Sequence, residues 1–510
     1  MAELLRPDIC VIGAGAGGLT VAAAAAAFAV PVVLVENHKM GGDCLNYGCV
    51  PSKALIAAAN RAHNGATAGV FGIDARPVTA FARTSRHVHD VIAAIAPNDS
   101  KERFTGLGVR VVSGTARFTS PDTVAVEDAI EIKARRFIIA TGSAPTIPPI
   151  PGLDATPHFT NETIFDLPAA AHLVVIGGGP VGLELAQAFR RLGAAVTVIE
   201  AVRPLAKDDQ ECAQIVLDAL AREGVAIRAG TTVQSVRQTG DDIEVTVKSG
   251  DTVETVTGSH LLIAAGRAPK LDGLGLEAAG IAYGPTGVTV GRGLKTTNRR
   301  VYAIGDAAGG PMFTHVANYH ASLVIRNALF RLRAKLRYNA VPWVTFTDPE
   351  LAHVGLNDEQ AKQQGHRIRV LRWPYRENDR AQAERATQGH VKVVTTTRGR
   401  ILGATIVGAQ AGELITPWTL AIDQGLNIRA MAQVVVPYPT RSEAGKRAAL
   451  CYFASVPANP HVRRAIRWLR RLGRGKGRGK GCRKCRRRTT IHRLRPSARA
   501  FALASQPSFW

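Results

Sequence analysis

Two stretches of the chain repeat one pattern of apolar strand, glycine-rich turn, helix and second strand. In residues 8–36 an apolar run at Ile9–Ile12 predicts a short buried strand, and an alanine-rich stretch predicts the helix after it. A second apolar run at 32–35 ends at Glu36. Residues 173–200 show the same order and end at Glu200. The repeat predicts two strand–helix–strand units in which parallel strands are joined through a helix.

The turn of each unit carries glycines at a spacing that is typical of dinucleotide binding. The glycines are Gly13, Gly15 and Gly18 in the first unit and Gly177, Gly179 and Gly182 in the second. In this pattern the first glycine makes the tight turn, the second lets the backbone approach a pyrophosphate, and the third lets helix and strand pack closely. The unpaired N–H groups at the helix N-terminus face the phosphates. Two complete copies predict two cofactors, one passing electrons to the other.

The acidic residue at the end of each unit is placed to bind the ribose of the cofactor. Glu36 and Glu200 each lie 18 positions after the last glycine of their unit. A carboxylate there accepts from a ribose hydroxyl and repels a 2′-phosphate, so Glu200 favours NADH over NADPH. Arg203 and Lys207 lie close by in sequence and weaken that preference, which leaves NADPH open.

A cysteine pair between the two units has the features of a redox centre. Cys44 and Cys49 are separated by four residues, close enough for a small disulfide loop. Pro51 suits the first turn of a helix through residues 52–59. Cys49 would then precede a helix N-terminus, where the dipole and Lys53 stabilise a thiolate. The alternative, two buried structural thiols, fits less well beside a nucleotide site.

Together these motifs resemble those of the pyridine nucleotide–disulfide oxidoreductases, which include dihydrolipoamide dehydrogenase, glutathione reductase and mercuric reductase. The resemblance covers about residues 5–458 and rests on GAGAGG, GGDCLNYGCVPSK, ATGS, GGGPVGLE, AAGRAP and VYAIGD. It implies an α/β fold with two Rossmann-like domains, for FAD and NAD, an α+β C-terminal dimerisation domain, and a homodimer. The expected boundaries are 1–150 and 270–338 for the FAD domain, 151–269 for the NAD(P) domain, 339–460 for dimerisation and 461–510 for a basic tail.

The resemblance also implies roles for individual residues. The FAD contacts would be Gly13, Gly15, Gly18, Glu36, Gly114, Thr141, Gly142, Ser143 and Asp306. The nicotinamide dinucleotide contacts would be Gly177, Gly179, Gly182, Glu184, Glu200 and Gly266. Lys53 and Glu184 would form an ion pair beside the flavin ring, with Cys49 against the flavin and Cys44 as the outer, exchanging thiol. The chain departs from the family at Pro180, where several members carry an aromatic residue over the nicotinamide pocket.

The C-terminal half contains the residues that indicate which class of electron acceptor the chain uses. Strands are predicted at 390–395 and 401–407, and helices at 414–424 and 428–433. Dihydrolipoamide dehydrogenases and glutathione reductases place an acid–base His in a His-Pro-Thr…Glu segment, whereas this chain has Tyr438 there and matches at Glu443. A phenol with a pKa near 10 is a poor proton acceptor at neutral pH.

Tyr438 therefore favours a mercuric-reductase-like enzyme, whose members resemble the chain here, with a small-molecule or soft-metal acceptor. The alternative is a dihydrolipoamide dehydrogenase-type disulfide reductase.

Two features argue against simple mercuric reduction. The sequence has no N-terminal module with its own C-x-x-C and no adjacent Cys-Cys pair near the C-terminus, which mercuric reductases use to deliver Hg(II). Cys482 and Cys485 form a C-x-x-C that would hold a soft metal in their place. The other reading is that they are incidental thiols of an unstructured tail, and it is the one we favour.

Composition assigns most of the positive charge to one end. The chain has 510 residues, 46% of them hydrophobic, which excludes a disordered chain, a collagen or a coiled coil. Of the formal charge of +24, residues 461–510 contribute 17 Lys and Arg with no Asp or Glu, which leaves +7 for the rest. We expect no membrane-spanning helix, no cleavable signal, a cytoplasmic location and no specific nucleic-acid partner.

The basic tail admits several interpretations. Residues 461–472 predict a basic amphipathic helix that would lie on an anionic membrane or dock on the dimerisation domain. Residues 471–488 are rich in Gly, Lys and Arg, and would attract nucleic acid only non-specifically. A hypothesis of another class is thus a membrane- or nucleic-acid-associated flavoprotein that acts through this tail. A tail without selected function is also open.

Overall fold

The computed structural model describes residues 2–127, 129–167 and 170–472. The chain divides into one compact unit, Met1–Phe453, and a second, Ala454–Trp510. Cys482 and Cys485, the speculative metal ligands, lie outside the described residues. No helix in the described ranges is both long and apolar enough to cross a bilayer.

The first sheet contains the first glycine-rich unit. Its five parallel strands are, in spatial order, Val301–Ala303, Arg136–Ile139, Ile9–Ile12, Val32–Glu36 and Arg110–Ser113. Ile9–Ile12 is buried along its whole length, as expected of a central strand covered on both faces. A smaller sheet lies beside it: Glu3–Leu5, Ile130–Ile132, Thr123–Val126 and Ala116–Ser120.

The second sheet contains the second unit. Its four parallel strands are Val225–Ala229, Ala195–Glu200, His172–Ile176 and His260–Ile263. An antiparallel three-stranded sheet, Thr231–Thr239, Asp242–Ser249 and Thr252–Gly258, packs on it. Ser143–Pro145 pairs with Arg267–Pro269 where the chain leaves and re-enters the first sheet's region.

The third sheet is antiparallel and follows both units in the chain. In spatial order its strands are Pro342–Thr345, Glu350–Gly355, Ile401–Gly408, His390–Thr396 and Ile368–Pro374. A last short hairpin pairs Tyr283–Gly284 with Gly287–Val288. The expected domain boundaries stay a prediction.

Fifteen α-helices are present in the described ranges. They are Ala16–Ala27, Gly42–Asn46, Cys49–Ala66, Phe81–Ile95, Lys101–Gly106, Pro180–Arg191, Gln210–Arg222, Thr314–Ala328, Asp358–Gln363, Asp379–Ala383, Ala411–Leu414, Thr416–Asp423, Ile428–Gln433, Ser442–Leu450 and Pro460–Leu472.

Two helix predictions differ from the structure in their ends. The helix after the cysteine pair begins at Cys49 itself, so Cys49 belongs to its first turn and does not precede it. Gly48, which flanks it, can adopt the unusual backbone angles of the cap position. The single helix predicted at 414–424 is two helices, Ala411–Leu414 and Thr416–Asp423, with Pro417 in the first turn of the second.

Two helices from different parts of the chain form the wall beside the cysteine pair. Cys49–Ala66 packs against Pro180–Arg191, the helix of the second glycine-rich unit. Pro180–Arg191 is anchored in turn on the segment before the third sheet's second strand, because Gln187 exchanges hydrogen bonds with the backbone of Asp348. This anchoring brings residues of both units and of the C-terminal half to one site.

Candidate active site

The first glycine-rich turn has the shape that a pyrophosphate requires. Gly13 has φ +105°, and a Cβ there would lie 2.4 Å from the carbonyl oxygen of Ala140. A Cβ at Gly18 would lie 1.9 Å from the carbonyl oxygen of Gly13. The protein's own packing therefore requires both glycines. A Cβ at Gly15 would meet nothing within 4 Å, so what demands glycine there is access from outside the fold.

The second turn repeats this division of roles. Gly177 has φ +118°, and its Cβ would lie 2.3 Å from the carbonyl oxygen of Ala264. The Cβ of Gly182 would lie 2.0 Å from the carbonyl oxygen of Gly177, whereas Gly179 again faces open space. Both turns thus fit a dinucleotide whose pyrophosphate approaches the second glycine at a helix N-terminus.

The acidic residues that close the two units are held by main-chain donors. The carboxylate of Glu36 accepts the N–H groups of Ala14, at 2.6 Å, and His38, at 2.8 Å. Glu200 accepts N–H groups at the same two offsets, at 2.8 and 3.0 Å. A carboxylate has about four acceptor positions, so each retains capacity for ribose hydroxyls. Both side chains are therefore oriented before a cofactor binds.

Asp306 lies in a polar network that reaches Asp43, the residue before Cys44. Its carboxylate accepts from the Ser143 hydroxyl at 2.6 Å, and burial raises the pKa of Asp306. Arg267 donates to the same hydroxyl at 2.8 Å and pairs with Asp43, next to Cys44, at 3.0 Å. Sequence reasoning placed Ser143 and Asp306 at the flavin but missed Arg267, the cation that joins them to Asp43.

The remaining expected cofactor contacts lie on turns beside this network. Thr141 donates its hydroxyl to the carbonyl of Lys270 at 2.7 Å. Three expected glycines have positive φ: Gly114 at 143°, Gly142 at 72° and Gly266 at 120°. Gly142 and Gly266 have nothing within 4 Å of a Cβ, as at the second glycine of each turn. Their surfaces thus admit close approach of a ligand.

The cysteine pair spans the end of one helix and the start of the next. Cys44 lies in the short helix Gly42–Asn46, and Cys49 begins Cys49–Ala66. The two thiols are not joined, and in the polypeptide alone Cys49 is exposed and Cys44 is half-buried. Cys49 is the first residue of its helix, so its side chain has no preceding helical turn to pack on. The inner position of Cys49 and the outer position of Cys44 stay a prediction.

The two thiols have opposite tendencies to ionise. The Cys44 thiol donates a hydrogen bond to Cys49, and this bond is the main cause that lowers the pKa of Cys49 to about 6. The same bond, together with burial, raises the pKa of Cys44. At neutral pH the reduced pair therefore holds one thiolate, at Cys49, and one protonated thiol, at Cys44.

Two further groups stabilise the Cys49 thiolate. The Thr314 hydroxyl lies 3.4 Å from the Cys49 sulfur, and the positive charge of Lys53 also lowers the pKa of this thiol. Lys53 was expected from its place in the same first turn. Thr314 was missed, because it lies 265 positions from Cys49 and no local pattern indicates the contact.

Replacing Thr314 with valine removes one hydrogen bond to the thiolate. We expect the pKa of Cys49 to rise by about one unit, since hydrogen bonds to charged groups contribute about 1.5–3 kcal/mol and other donors remain. Alkylation of Cys49 in the reduced protein, followed by mass spectrometry across pH, measures the shift. Thr67→Val, just after the C-terminal end of the helix that Cys49 begins, is the matched control. An unchanged alkylation midpoint in Thr314→Val would contradict this assignment.

Lys53 and Glu184 form the expected ion pair across the two helices. Lys53 Nζ lies 2.6 Å from Glu184 Oε2, and the Glu184 side chain is buried whereas Lys53 is 38% exposed. The other carboxylate oxygen accepts the N–H of Phe346 at 2.9 Å, and Nζ lies 4.5 Å from the centre of the Phe346 ring. Phe346, which sequence reasoning missed, thus fixes the pair from the C-terminal half.

Glu184→Gln keeps the acceptor for Phe346 but removes the charge that faces Lys53. We expect a loss of roughly 1–2 kcal/mol in the free energy of unfolding, less than for a fully buried pair because water reaches Lys53. Urea denaturation measures the loss. Glu131→Gln, on an exposed strand position, should be neutral. Equal stability of the two variants would show that the pair contributes nothing measurable.

Tyr438 and Glu443 lie in the C-terminal domain. They do not contact each other through a hydrogen bond, and each has its own polar partner. Tyr438 is 70% exposed, and its hydroxyl donates to Asp379 Oδ2 at 2.7 Å. That bond raises the pKa of Tyr438. Glu443 pairs with Arg447 one turn along its helix, at 2.9 Å. The structure does not bring Tyr438 or Glu443 to the cysteine pair of the same chain within the described ranges.

Asp379 is a fourth residue that sequence reasoning missed. It lies in the segment ENDRAQAE, residues 377–384. Its partner Tyr438 is 59 positions away, so no local pattern indicates the contact. In the described ranges no group of three or more His, Cys, Asp or Glu is placed to hold a metal ion.

Comparison with known proteins matches two family models. Residues 7–321 match the model of pyridine nucleotide-disulphide oxidoreductases, and residues 341–449 match the dimerisation domain of these enzymes. The chain is 38% identical to a mercuric reductase of Streptomyces lividans over 88% of its length and 97% of the relative's. It is 34% identical to dihydrolipoyl dehydrogenase 3 of Pseudomonas aeruginosa over 87% and 97%.

A solved structure has a similar fold. It is a Cu(II) complex of the HOCl-induced flavoprotein disulfide reductase RclA from Escherichia coli. The TM-score is 0.78 and the sequence identity 28%, over 86% of this chain and 98% of that one.

Proposed function

The chain belongs to the pyridine nucleotide-disulphide oxidoreductase family, and on that premise we propose that it reduces a soft metal ion, in the manner of a mercuric reductase. Members of this family contain FAD and use NAD(P)H. The dimerisation domain supports a homodimer. The proposal concerns the acceptor, for which relatives of two kinds are similarly close.

The observation that carries the proposal is the state of Tyr438. Its hydroxyl donates to Asp379, and this bond keeps the pKa of the phenol above its usual value near 10. A phenol that stays protonated at neutral pH can donate a hydrogen bond to a thiolate but cannot accept a proton from a thiol. Tyr438 therefore does not replace the imidazole that serves disulfide substrates in this family.

The missing base matters more for a disulfide acceptor than for a metal. NADH and a disulfide give NAD⁺ and two thiols with uptake of one proton. NADH and the bis-thiolate complex that Hg(II) forms in excess small thiol give NAD⁺, Hg(0) and two thiols, with the same uptake of one proton. The disulfide step expels a thiolate from an S–S bond, where a general acid–base group contributes about 10²- to 10⁴-fold to a rate, whereas Hg(II) passes between thiolates by ligand exchange. A site with Tyr438 is thus better suited to a metal than to a disulfide.

The residues of the chain divide the remaining tasks. When bound, FAD accepts hydride equivalents from the nicotinamide and supplies electron pairs to the cysteine pair. Cys49 holds the thiolate, and Lys53 and Thr314 keep it ionised. We assign exchange with the acceptor to Cys44 from the family resemblance. Cys44 must react as a thiolate, so its proton has to leave first, and the Cys49 thiolate beside it is the nearest acceptor for that proton. Thiolates are soft ligands and suit a soft metal ion.

The relatives support both acceptors to different extents. The Streptomyces lividans relative is a mercuric reductase, and the Escherichia coli neighbour was solved as a Cu(II) complex. The Pseudomonas aeruginosa relative, a dihydrolipoyl dehydrogenase, favours the second candidate, a disulfide reductase of that type. Against that candidate stands Tyr438 with its Asp379 partner.

The nicotinamide preference is a separate expectation. The oriented carboxylate of Glu200 would repel a 2′-phosphate, so we expect kcat/KM for NADH to exceed that for NADPH by at least about tenfold, since like charges brought together cost several kcal/mol. Glu200→Gln should lower the ratio of kcat/KM for NADH to kcat/KM for NADPH, mainly by raising kcat/KM for NADPH. A wild-type preference for NADPH would contradict the expectation. It would indicate that Arg203 or Lys207 binds the 2′-phosphate of the cofactor.

Steady-state oxidation of NADH without oxygen tests the acceptor. Hg(II) in excess small thiol and oxidised lipoamide are supplied in parallel to the purified flavoprotein. The proposal predicts rapid oxidation with Hg(II) and slow oxidation with lipoamide. Turnover with lipoamide alone would overturn it in favour of the disulfide reductase.

A further inference from the structure

The helix Pro460–Leu472 has two chemically different faces. Its sequence is PHVRRAIRWLRRL, with arginines at 463, 464, 467, 470 and 471. At 3.6 residues per turn these five side chains share one side of the helix, whereas Val462, Ile466 and Leu469 share the other. Trp468 lies at the border of the apolar face.

The apolar side chains of this helix are accessible. Ile466 is 51%, Trp468 60% and Leu469 56% exposed. In water such a cluster is unfavourable, because each large apolar side chain gains about 1.5–3 kcal/mol when it is buried. An exposed apolar stripe beside a row of cations therefore indicates an occupant that offers both hydrocarbon and negative charge.

Charge separates the candidate occupants. Residues 454–510 contain no Asp or Glu, so two copies of the helix paired on their apolar faces would bring their arginines together without an acidic partner. A nucleic acid would pair with the arginines but leave the apolar stripe in water. An anionic lipid surface satisfies both faces, since each arginine near it contributes about 1 kcal/mol of attraction and the apolar side chains enter the acyl boundary.

Length fixes how the helix would meet the bilayer. Its 13 residues extend about 20 Å at 1.5 Å per residue, short of the roughly 20 residues that a spanning helix needs. We propose that Pro460–Leu472 lies in the plane of an anionic membrane surface, with Ile466 and Leu469 inserted and the arginines at the lipid phosphates. This contact is independent of the acceptor that the reductase uses.

Sedimentation of the full-length flavoprotein with vesicles tests the contact. We expect it to pellet with vesicles that contain phosphatidylglycerol, to pellet poorly with pure phosphatidylcholine, and to be released by high salt. The double variant Ile466→Glu with Leu469→Glu should lower partitioning by at least about tenfold. Because 473–510 add positive charge of their own, this apolar change is the one that isolates the helix.

Two further variants keep the test decisive. Val456→Glu, an exposed apolar position outside the helix, is the matched control and should bind as the wild type does. Arg467→Gln with Arg470→Gln should weaken binding to phosphatidylglycerol without altering NADH oxidation. Normal turnover in every variant shows that the body is folded.

Three results would overturn the proposal. One is equal binding to both kinds of vesicle, or to neither. Another is conversion of an oligomer to a smaller species by the double glutamate variant without any vesicle binding by the wild type, which would assign the apolar face to a second copy. The third is binding to duplex DNA, but not to vesicles, that the double glutamate variant leaves intact.

Discussion

Cys44→Ser is expected to remove turnover with every thiol-reactive acceptor, by at least about 10³-fold, as is typical when a residue that reacts covalently is lost. The serine hydroxyl can still donate to Cys49, so the low pKa of Cys49 should survive. Loss of exchange with a retained thiolate is the signature that separates a reacting thiol from a structural one. NADH oxidation and the pH dependence of Cys49 alkylation measure the two properties.

The controls for this prediction lie in the same chain. Cys49→Ser should abolish turnover as well, but with loss of the thiolate that alkylates near pH 6. Cys451→Ser, in a half-buried position after the last helix of the compact unit, should be unchanged. Substantial turnover in Cys44→Ser would show that the acceptor reacts elsewhere.

Tyr438→His should convert the enzyme toward disulfide substrates. An imidazole titrates near pH 6.5 and can exchange protons with thiols at neutral pH. We expect turnover of oxidised lipoamide to rise by about 10²-fold, the lower end of what general acid–base groups contribute, while turnover with Hg(II) changes far less. The gain should depend on pH with a midpoint near the pKa of the new histidine.

Tyr283→His is the matched control for this change. Tyr283 is also an exposed tyrosine whose hydroxyl bonds to a carboxylate, that of Glu277, and its pKa is raised in the same way. It lies in the short hairpin that pairs Tyr283–Gly284 with Gly287–Val288, outside residues 341–449, which match the dimerisation domain. A gain in both variants would be non-specific. No gain in Tyr438→His would show that the acceptor is not chosen by the group at 438.

The parts of the fold that follow local rules were predictable. Glycine spacing, apolar runs and the closing acid identify both nucleotide units, because each feature acts within about 30 residues of chain. The strand bounds at Ile9–Ile12 and His390–Thr396 agree with the predicted runs to within one residue. The ion pair of Lys53 and Glu184 was available only through the family resemblance.

The electrostatics of the thiols were less predictable. Thr314 meets Cys49 across 265 positions, and Asp379 meets Tyr438 across 59. Which distant polar groups meet is set by packing of separate elements, and a single sequence carries no periodic signal for it. The main cause of the low Cys49 pKa, the hydrogen bond from Cys44, depends on the loop geometry between two helices and not on the helix dipole alone.

The most direct test of the central claim is a single-turnover measurement of the product. The flavoprotein is reduced with a limiting amount of NADH in the absence of oxygen, then mixed with Hg(II) in excess small thiol, or with oxidised lipoamide. The account predicts volatile Hg(0) in proportion to the NADH consumed, none from Cys44→Ser, and slow reoxidation by lipoamide. Rapid reoxidation by lipoamide without Hg(0) would contradict it.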